Sequence, residues 1–189
     1  LIGESGSSKT TTIRHLALES ARKRLKDTTA LLPMLLYLPR WGSESTPQDF
    51  VRSQWRETEL PIHVDPIALL KSGDIHLYLD GLNEMGEHGI ENAQKLKSWL
   101  SSPDSPQYII VTCRKDNYAG DFELDIPVVQ IELLSDHHVR EFVRNYLPTK
   151  SEALIKRILP SDDSSKQDKR HLYQLARNPY MLTALIIVF

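Results

Sequence analysis

The sequence predicts an α/β fold: a three-layer parallel sheet with helices on both faces, followed by a small helical subdomain. Three observations predict it. Short apolar runs of strand length alternate with segments of helical periodicity. The runs end in polar residues, Asp80 and Cys113-Arg114, where an open parallel sheet gathers its ligand-binding groups. From Ser135 onward the pattern is helical only. The sheet domain is expected over residues 1–133 and the start of the helical subdomain over 134–189.

The elements follow in order. Leu1 and Ile2 read as the tail of a first strand that is mostly missing. Ile13, Leu16, Ala17, Ala21 and Leu25 fall on one face at spacings of three and four, which predicts the first helix. Pro33-Met34-Leu35-Leu36-Tyr37-Leu38-Pro39 is a continuous apolar run and reads as a strand buried on both faces. Thr46-Pro47 and Asp65-Pro66 each supply an N-cap and a first helical residue. Phe50, Val51 and Trp55 follow the first pair; Ile67 to Leu70, stopped by Gly73, follow the second. Ile75 to Leu79 and Tyr108 to Thr112 are two further buried strands, with Ala93, Leu96 and Leu100 marking a helix between them. Val128-Val129-Gln130-Ile131 is expected to close the sheet.

Ser135 should cap a helix carrying Val139, Phe142, Val143, Tyr146 and Leu147. Pro160 to Gln167 read as an exposed polar linker. Leu172, Leu175 and Ala176 begin a helix that breaks at Asn178-Pro179. The apolar run Tyr180 to Phe189 is shorter than the ~20 residues a membrane span requires and is expected to be a packed helix. Both ends fall inside elements, so the chain is expected to be an excised segment of a longer protein.

Composition removes several function classes. Twenty-three basic and 25 acidic residues give a net charge of −2 without a basic block, so the electrostatic footprint of a nucleic-acid binder is missing. The single cysteine, Cys113, excludes an internal disulfide and fits a reducing compartment, so the cytoplasm is the expected location.

The segment Gly3-Glu4-Ser5-Gly6-Ser7-Ser8-Lys9-Thr10, continued by Thr11, matches the phosphate-binding pattern G-x-x-x-x-G-K-[ST] except at Ser8, where the last glycine belongs. Such a loop curls backbone N–H groups around a β-phosphate. Its lysine reaches the phosphate oxygens, its hydroxyl ligates Mg²⁺, and the following helix points its N-terminus at the anion. A Cβ at Ser8 costs contact distance or strained backbone angles, of order 1–3 kcal/mol. Either the Ser8 hydroxyl adds a phosphate hydrogen bond and the site works with reduced affinity, or the loop is degenerate and the fold persists as a scaffold.

Asp80, closing an apolar strand, stands where such a fold holds Mg²⁺; the alternative is a turn or cap former. Glu84, four residues on, either orients an attacking water or is a surface glutamate. Arg114 either reads a γ-phosphate or pairs with Asp116 or another nearby carboxylate. Cys113 reads as a small buried residue, and Trp41, Trp55 and Trp99 as core or interface aromatics. His137-His138 lack spaced partners and point in different directions on a helix, which disfavours metal binding.

The series Gly3-x-x-Gly6-x-x-Lys9-Thr10, Leu77-Tyr78-Leu79-Asp80-Gly81-Leu82-Asn83-Glu84, Ile110-Val111-Thr112-Cys113-Arg114 and Asn178-Pro179-Tyr180-Met181-Leu182 resembles the NACHT domain of STAND-class signal-transduction P-loop NTPases, with a degenerate Walker A. Asn83 stands where the family carries an acid. The stretch from Trp41 onward and Cys113-Arg114-Lys115 look more like the bacterial or cyanobacterial members.

The resemblance implies an ATP/ADP switch with Mg²⁺. Residues Gly3 to Thr11 would bind nucleotide together with Pro179, which packs on the adenine. Thr10 and Asp80 would serve the metal, Glu84 hydrolysis, and Arg114 would act as sensor. It also implies homo-oligomerisation on activation, slow ATP turnover, and flanking effector and sensor domains. Two other classes stay open: a nucleotide-independent interaction scaffold, and a small-molecule kinase, disfavoured because no arginine-rich lid follows the sheet.

Overall fold

Parallel ladders form where the apolar runs predict strands. In the computed structural model, residues 1–42, 45–58, 64–159 and 167–189 are described, without the side chains of residues 167–169. The chain divides into two units, Leu1–Gly3 with Lys9–Gln130, and Glu4–Ser8 with Ile131–Phe189.

In the first unit the order is β1 (Ile2–Gly3), α1 (Lys9–Lys26), β2 (Leu32–Tyr37), α2 (Pro47–Arg56), α3 (Pro66–Ser72), β3 (Ile75–Asp80), α4 (Gly89–Leu100), β4 (Tyr108–Val111) and β5 (Cys113–Arg114). β3 lies between β2 and β4. It pairs Leu32 with Ile75 through Tyr37 with Asp80 on one side, and His76 with Tyr108 through Leu79 with Val111 on the other. β1 pairs with β5, Ile2 opposite Cys113 and Gly3 opposite Arg114. Only Thr112 separates β4 from β5, so one run of chain serves both ladders. Parallel pairing brings Asp80, Thr112 and Arg114 to the same carboxyl edge.

Helices cover both faces. Ile13 and Ala17 of α1 pack on Tyr78 and Ile110. On the other face Phe50, Val51 and Trp55 of α2, Ile67 and Leu70 of α3, and Ala93, Leu96 and Trp99 of α4 join Met34, Leu36, Leu77 and Leu79 in the main core. The helix starts follow the sequence. Thr46 accepts from the Asp49 backbone N–H while the Asp49 carboxylate accepts from Thr46, a reciprocal capping box; Asp65 caps α3 through the Ile67 N–H, and left-handed Gly73 ends it.

Three sequence expectations change in this unit. β2 is not buried on both faces: successive side chains alternate, so Met34 and Leu36 point into the core while Leu35 and Tyr37, on the other face, are exposed. Leu16 and Leu25 of α1 are exposed; Ile13 and Ala17 are the residues of that stripe that are buried. Val128 to Ile131 form no strand. β1 spans two residues, so Gln130 makes a single bridge to Ile2, supported by Ile2 N–H donating to Val129 O at 2.8 Å. Trp41, Trp55 and Trp99 are all core residues, each under 5% exposed.

The second unit contains α5 (Asp136–Tyr146), α6 (Ser151–Ile158), α7 (Gln167–Ala176) and α8 (Pro179–Val188). Ser135 caps α5 through the His138 N–H. Val139, Val143, Leu154, Ile155, Ile158, Ala176 and Leu182 form its core, whereas Tyr146, expected on the buried stripe, is exposed beyond the last packed turn. α6 was not anticipated, although Leu154, Ile155 and Ile158 carry its spacing. The expected linker from Pro160 lies outside the described residues up to position 166, and Gln167 already begins α7. The closing apolar run is α8, which buries Leu182 and leaves Tyr180, Ile187 and Val188 exposed. Among the described residues no helix is long and apolar enough to cross a membrane.

Candidate functional site

At the carboxyl edge of the first unit, Asp80 is buried to 4% exposure. A carboxylate so enclosed needs hydrogen-bond donors. Thr112 Oγ1 donates to Asp80 Oδ1 at 2.6 Å, and Thr10 Oγ1, from the first turn of α1, donates to the same oxygen at 3.3 Å. Thr112 is itself fixed: its Oγ1 accepts from Gly81 N–H at 2.9 Å and its carbonyl from Leu82 N–H at 2.9 Å. Asp80 Oδ2 carries no hydrogen bond among the described residues. Thr11, one residue on from Thr10, is exposed.

Lys9 opens α1, and its Nζ donates to Gly3 O at 3.0 Å, closing the two ends of the loop on each other. Burial holds the Lys9 ammonium below the usual lysine range, and the nearby Arg114 charge lowers it further. An arriving anion would act in the opposite direction.

Glu84 and Arg114 face each other with Arg114 Nη2 3.8 Å from Glu84 Oε1, and Tyr37 Oη donates to Glu84 Oε2 at 3.3 Å. Asn83 Oδ1 accepts from Arg114 N–H at 2.8 Å, which ties the turn after β3 to β5. Cys113 is 2% exposed, and burial pushes its thiol up to about 11, so it stays protonated. His138 shares a 3.1 Å hydrogen bond with Ser135 Oγ.

The loop residues Glu4–Ser8 belong to the second unit. Ser7 N–H donates to Glu4 O at 3.2 Å, and Gly6 and Ser8 take positive φ, 76° and 68°. Ser7 is 2% exposed and its Oγ has no hydrogen-bond partner among the described residues. Within that unit Asn178 donates from Nδ2 to Ser5 O at 2.8 Å, Tyr180 N–H reaches Gly6 O at 3.4 Å, and Pro179 is the first residue of α8.

The NACHT domain family model matches residues 1–150. The chain belongs to the NACHT domain family. No curated protein matches it. As a NACHT domain it is a P-loop nucleotide-binding signalling module, and such domains bind nucleotide typically with Mg²⁺.

The donors present in this NACHT domain fit those ligands. A hydroxyl and a carboxylate 3.3 Å apart are hard oxygen donors of the kind Mg²⁺ takes, which needs only one or two protein ligands beside phosphate and water. Among the described residues no three His, Cys, Asp or Glu side chains cluster as a metal cage. The orphaned Ser7 hydroxyl leaves one unsatisfied polar atom in the loop, and the positive φ of Gly6 and Ser8 curls its backbone into the form in which backbone N–H groups hold anions.

The structure therefore brings together Thr10 with Asp80, Lys9 with Gly3, and Glu84 with Arg114. In the second unit it gathers Ser5 and Gly6 with Asn178 to Tyr180. Sequence reasoning missed Thr112, Tyr37 and the Asn178 side chain as members of these groups. A hydroxyl between Val111 and Cys113 in an apolar strand was the available signal for Thr112, and the Asn-Pro helix start for Asn178. Nothing local marks Tyr37.

Proposed function

We propose that this NACHT domain is an ATP/ADP-operated switch of a larger cytoplasmic signalling or defence protein. Slow ATP hydrolysis resets it, and nucleotide state controls homo-oligomerisation that brings flanking effector domains together when a sensor domain is triggered. The observation that carries the reading is the Thr10–Asp80 pair, 3.3 Å apart behind a lysine held at depressed pKa. In the proposed site, Gly3 to Thr11 hold the phosphates, Thr10 and Asp80 hold Mg²⁺, and Pro179 packs on the base. The proposed domain boundary lies between 133 and 134. Bound Mg²⁺ would neutralise phosphate charge as a Lewis acid. Lys9 stabilises the β/γ oxygens, Thr112 keeps the Asp80 carboxylate oriented, Glu84 orients water, and Arg114 contacts the γ-phosphate after parting from Glu84. A ligand shifts a two-state equilibrium only by its differential affinity, and moving it from mostly closed to mostly open needs about 5 kcal/mol. The Arg114–Glu84 pair supports γ-phosphate sensing, because its exchange of partners would depend on the presence of that group.

Calorimetry of the full-length protein with ATP and ADP in Mg²⁺, alongside Lys9→Ala, tests the proposal. Micromolar or tighter binding that the substitution abolishes supports a switch; no binding by folded protein sinks it. A second reading, a scaffold that has lost its nucleotide, rests on the side chain that Ser8 puts where the loop pattern has glycine, and it predicts the latter result.

A further inference from the structure

The link between the phosphate loop and α8 is built from one side chain used twice. Asn178 Oδ1 accepts from Tyr180 N–H at 3.1 Å and Met181 N–H at 3.4 Å, capping α8, while its Nδ2 donates to Ser5 O at 2.8 Å. The residue before it is anchored independently: Leu134 N–H donates to Arg177 O at 2.8 Å and Arg177 Nε donates to Leu134 O at 3.0 Å. The residue four beyond it, Leu182, is fully buried in the helical core and donates its N–H to Asn178 O at 2.9 Å. Asn178 is thus a fixed point, and the loop is hung from it.

The fit is close enough to select the loop's own sequence. A Cβ on Gly6 would lie 2.8 Å from Asn178 Oδ1 and 3.0 Å from Tyr180 Cβ, at a φ of 76° that side chains avoid. Glycine here serves the approach of α8 as well as the turn. The peptide geometry adds a consequence for the amides. In a trans peptide the C=O and the next N–H point in opposite directions, and the described residues contain no cis bond. Holding Ser5 O toward Asn178 therefore turns Gly6 N–H away from α8. Ser7 N–H is already committed to Glu4 O, so Gly6 N–H is the amide whose direction Asn178 sets.

We propose that Asn178 is a positioning residue for phosphate recognition: it orients the Gly6 amide of the phosphate loop and makes the loop's affinity for a nucleoside di- or triphosphate depend on the docking of α8. The inference rests on the nucleotide-binding reading above. It gives the helical subdomain a direct hold on the phosphates through the loop backbone, separate from the base contact proposed for Pro179.

The test uses full-length protein and two variants that each keep an N-cap acceptor. Asn178→Ser caps α8 without reaching Ser5 O; Asn178→Asp caps it and places a carboxylate against that carbonyl. Melting temperature, hydrogen exchange of residues 4–8, and ADP and ATP affinity by calorimetry are measured together. Both variants should melt close to wild type, exchange the Gly6 amide faster without ligand, and bind ADP and ATP about tenfold more weakly, the effect of a lost oriented donor. Unchanged Gly6 exchange in Asn178→Ser overturns the inference whatever the nucleotide result. Weakening in Asn178→Asp alone also overturns it, because charge repulsion then explains everything. Faster Gly6 exchange in both variants with no nucleotide binding by wild type would instead sink the functional reading while leaving the loop-positioning contact demonstrated.

Discussion

Thr112 donates its hydroxyl to Asp80 Oδ1 across 2.6 Å, and both residues are buried at the carboxyl edge of the sheet. The hydroxyl cannot be replaced by water without opening the site, so Thr112→Val leaves a buried carboxylate with one long hydrogen bond, that from Thr10. Loss of the partner should cost about 1–3 kcal/mol of stability and weaken Mg²⁺-dependent nucleotide binding, while Thr112→Ser should preserve both. Urea denaturation of the three proteins checks the first effect, and calorimetry with and without Mg²⁺ the second. A valine variant as stable as wild type would show that Asp80 is solvated by another route.

Ser8 holds φ 68°. Because the strained angle is present without ligand, its cost is carried by the fold and not incurred on binding. Ser8→Gly should therefore raise folding stability by about 1 kcal/mol, the scale of the left-handed penalty for a residue with a Cβ. ATP affinity should rise by less than about tenfold, the equivalent of 1.4 kcal/mol, through contact distance alone. Thermal melts and calorimetry separate the two. A large gain in affinity with no gain in stability would place the strain in the bound state.

Asn83, which the resemblance puts in the place of an acid, accepts at Oδ1 from Arg114 N–H at 2.8 Å. The contact needs an acceptor, which Asn and Asp both provide. Asn83→Asp should be as stable as wild type or slightly better, since a charged acceptor strengthens the bond. Asn83→Ala should lose about 1 kcal/mol. Chemical denaturation midpoints decide between this and a purely catalytic role for the acid, under which both variants would match wild type in stability.

The parts of the fold that rest on local chemistry were legible. Thr46-Pro47, Asp65-Pro66, Gly73 and Ser135 fix their helix ends by bonds within four residues, so the sequence carries the whole cause. What depended on neighbours was not. Leu35 and Tyr37 are exposed because the described residues leave their face of β2 uncovered, and no run of apolar letters encodes that. Val128 to Ile131 has strand composition but meets a two-residue partner. Asp80 and Arg114 stand at strand ends, as the apolar runs before them predict. Tyr37 reaches Glu84 from 47 positions away through the pairing of Tyr37 with Asp80, a relation that exists only after the sheet forms.

His76 gives the fold a pH dependence on its acid side. Its ring is half-buried, stacked on Tyr78 at 4.2 Å between centroids, with Nδ1 2.9 Å from Tyr78 Oη, which also meets Ser20 Oγ at 2.7 Å. Burial holds its pKa below the ordinary value of 6.5. The sign follows directly. In the window between the depressed folded pKa and 6.5, the unfolded chain binds a proton that the folded chain refuses, so stability falls as pH drops through that window and levels off below it. Arg22, Lys23 and Lys26 line the same cleft, with Glu19 the carboxylate among them. His76→Gln keeps a hydrogen-bonding group for Tyr78 and removes the titration. Urea midpoints measured from pH 7.5 downward should fall for wild type below about pH 6.5, and the slope should flatten in the variant. Parallel slopes would assign the acid sensitivity to carboxylates and leave His76 with a packing role alone.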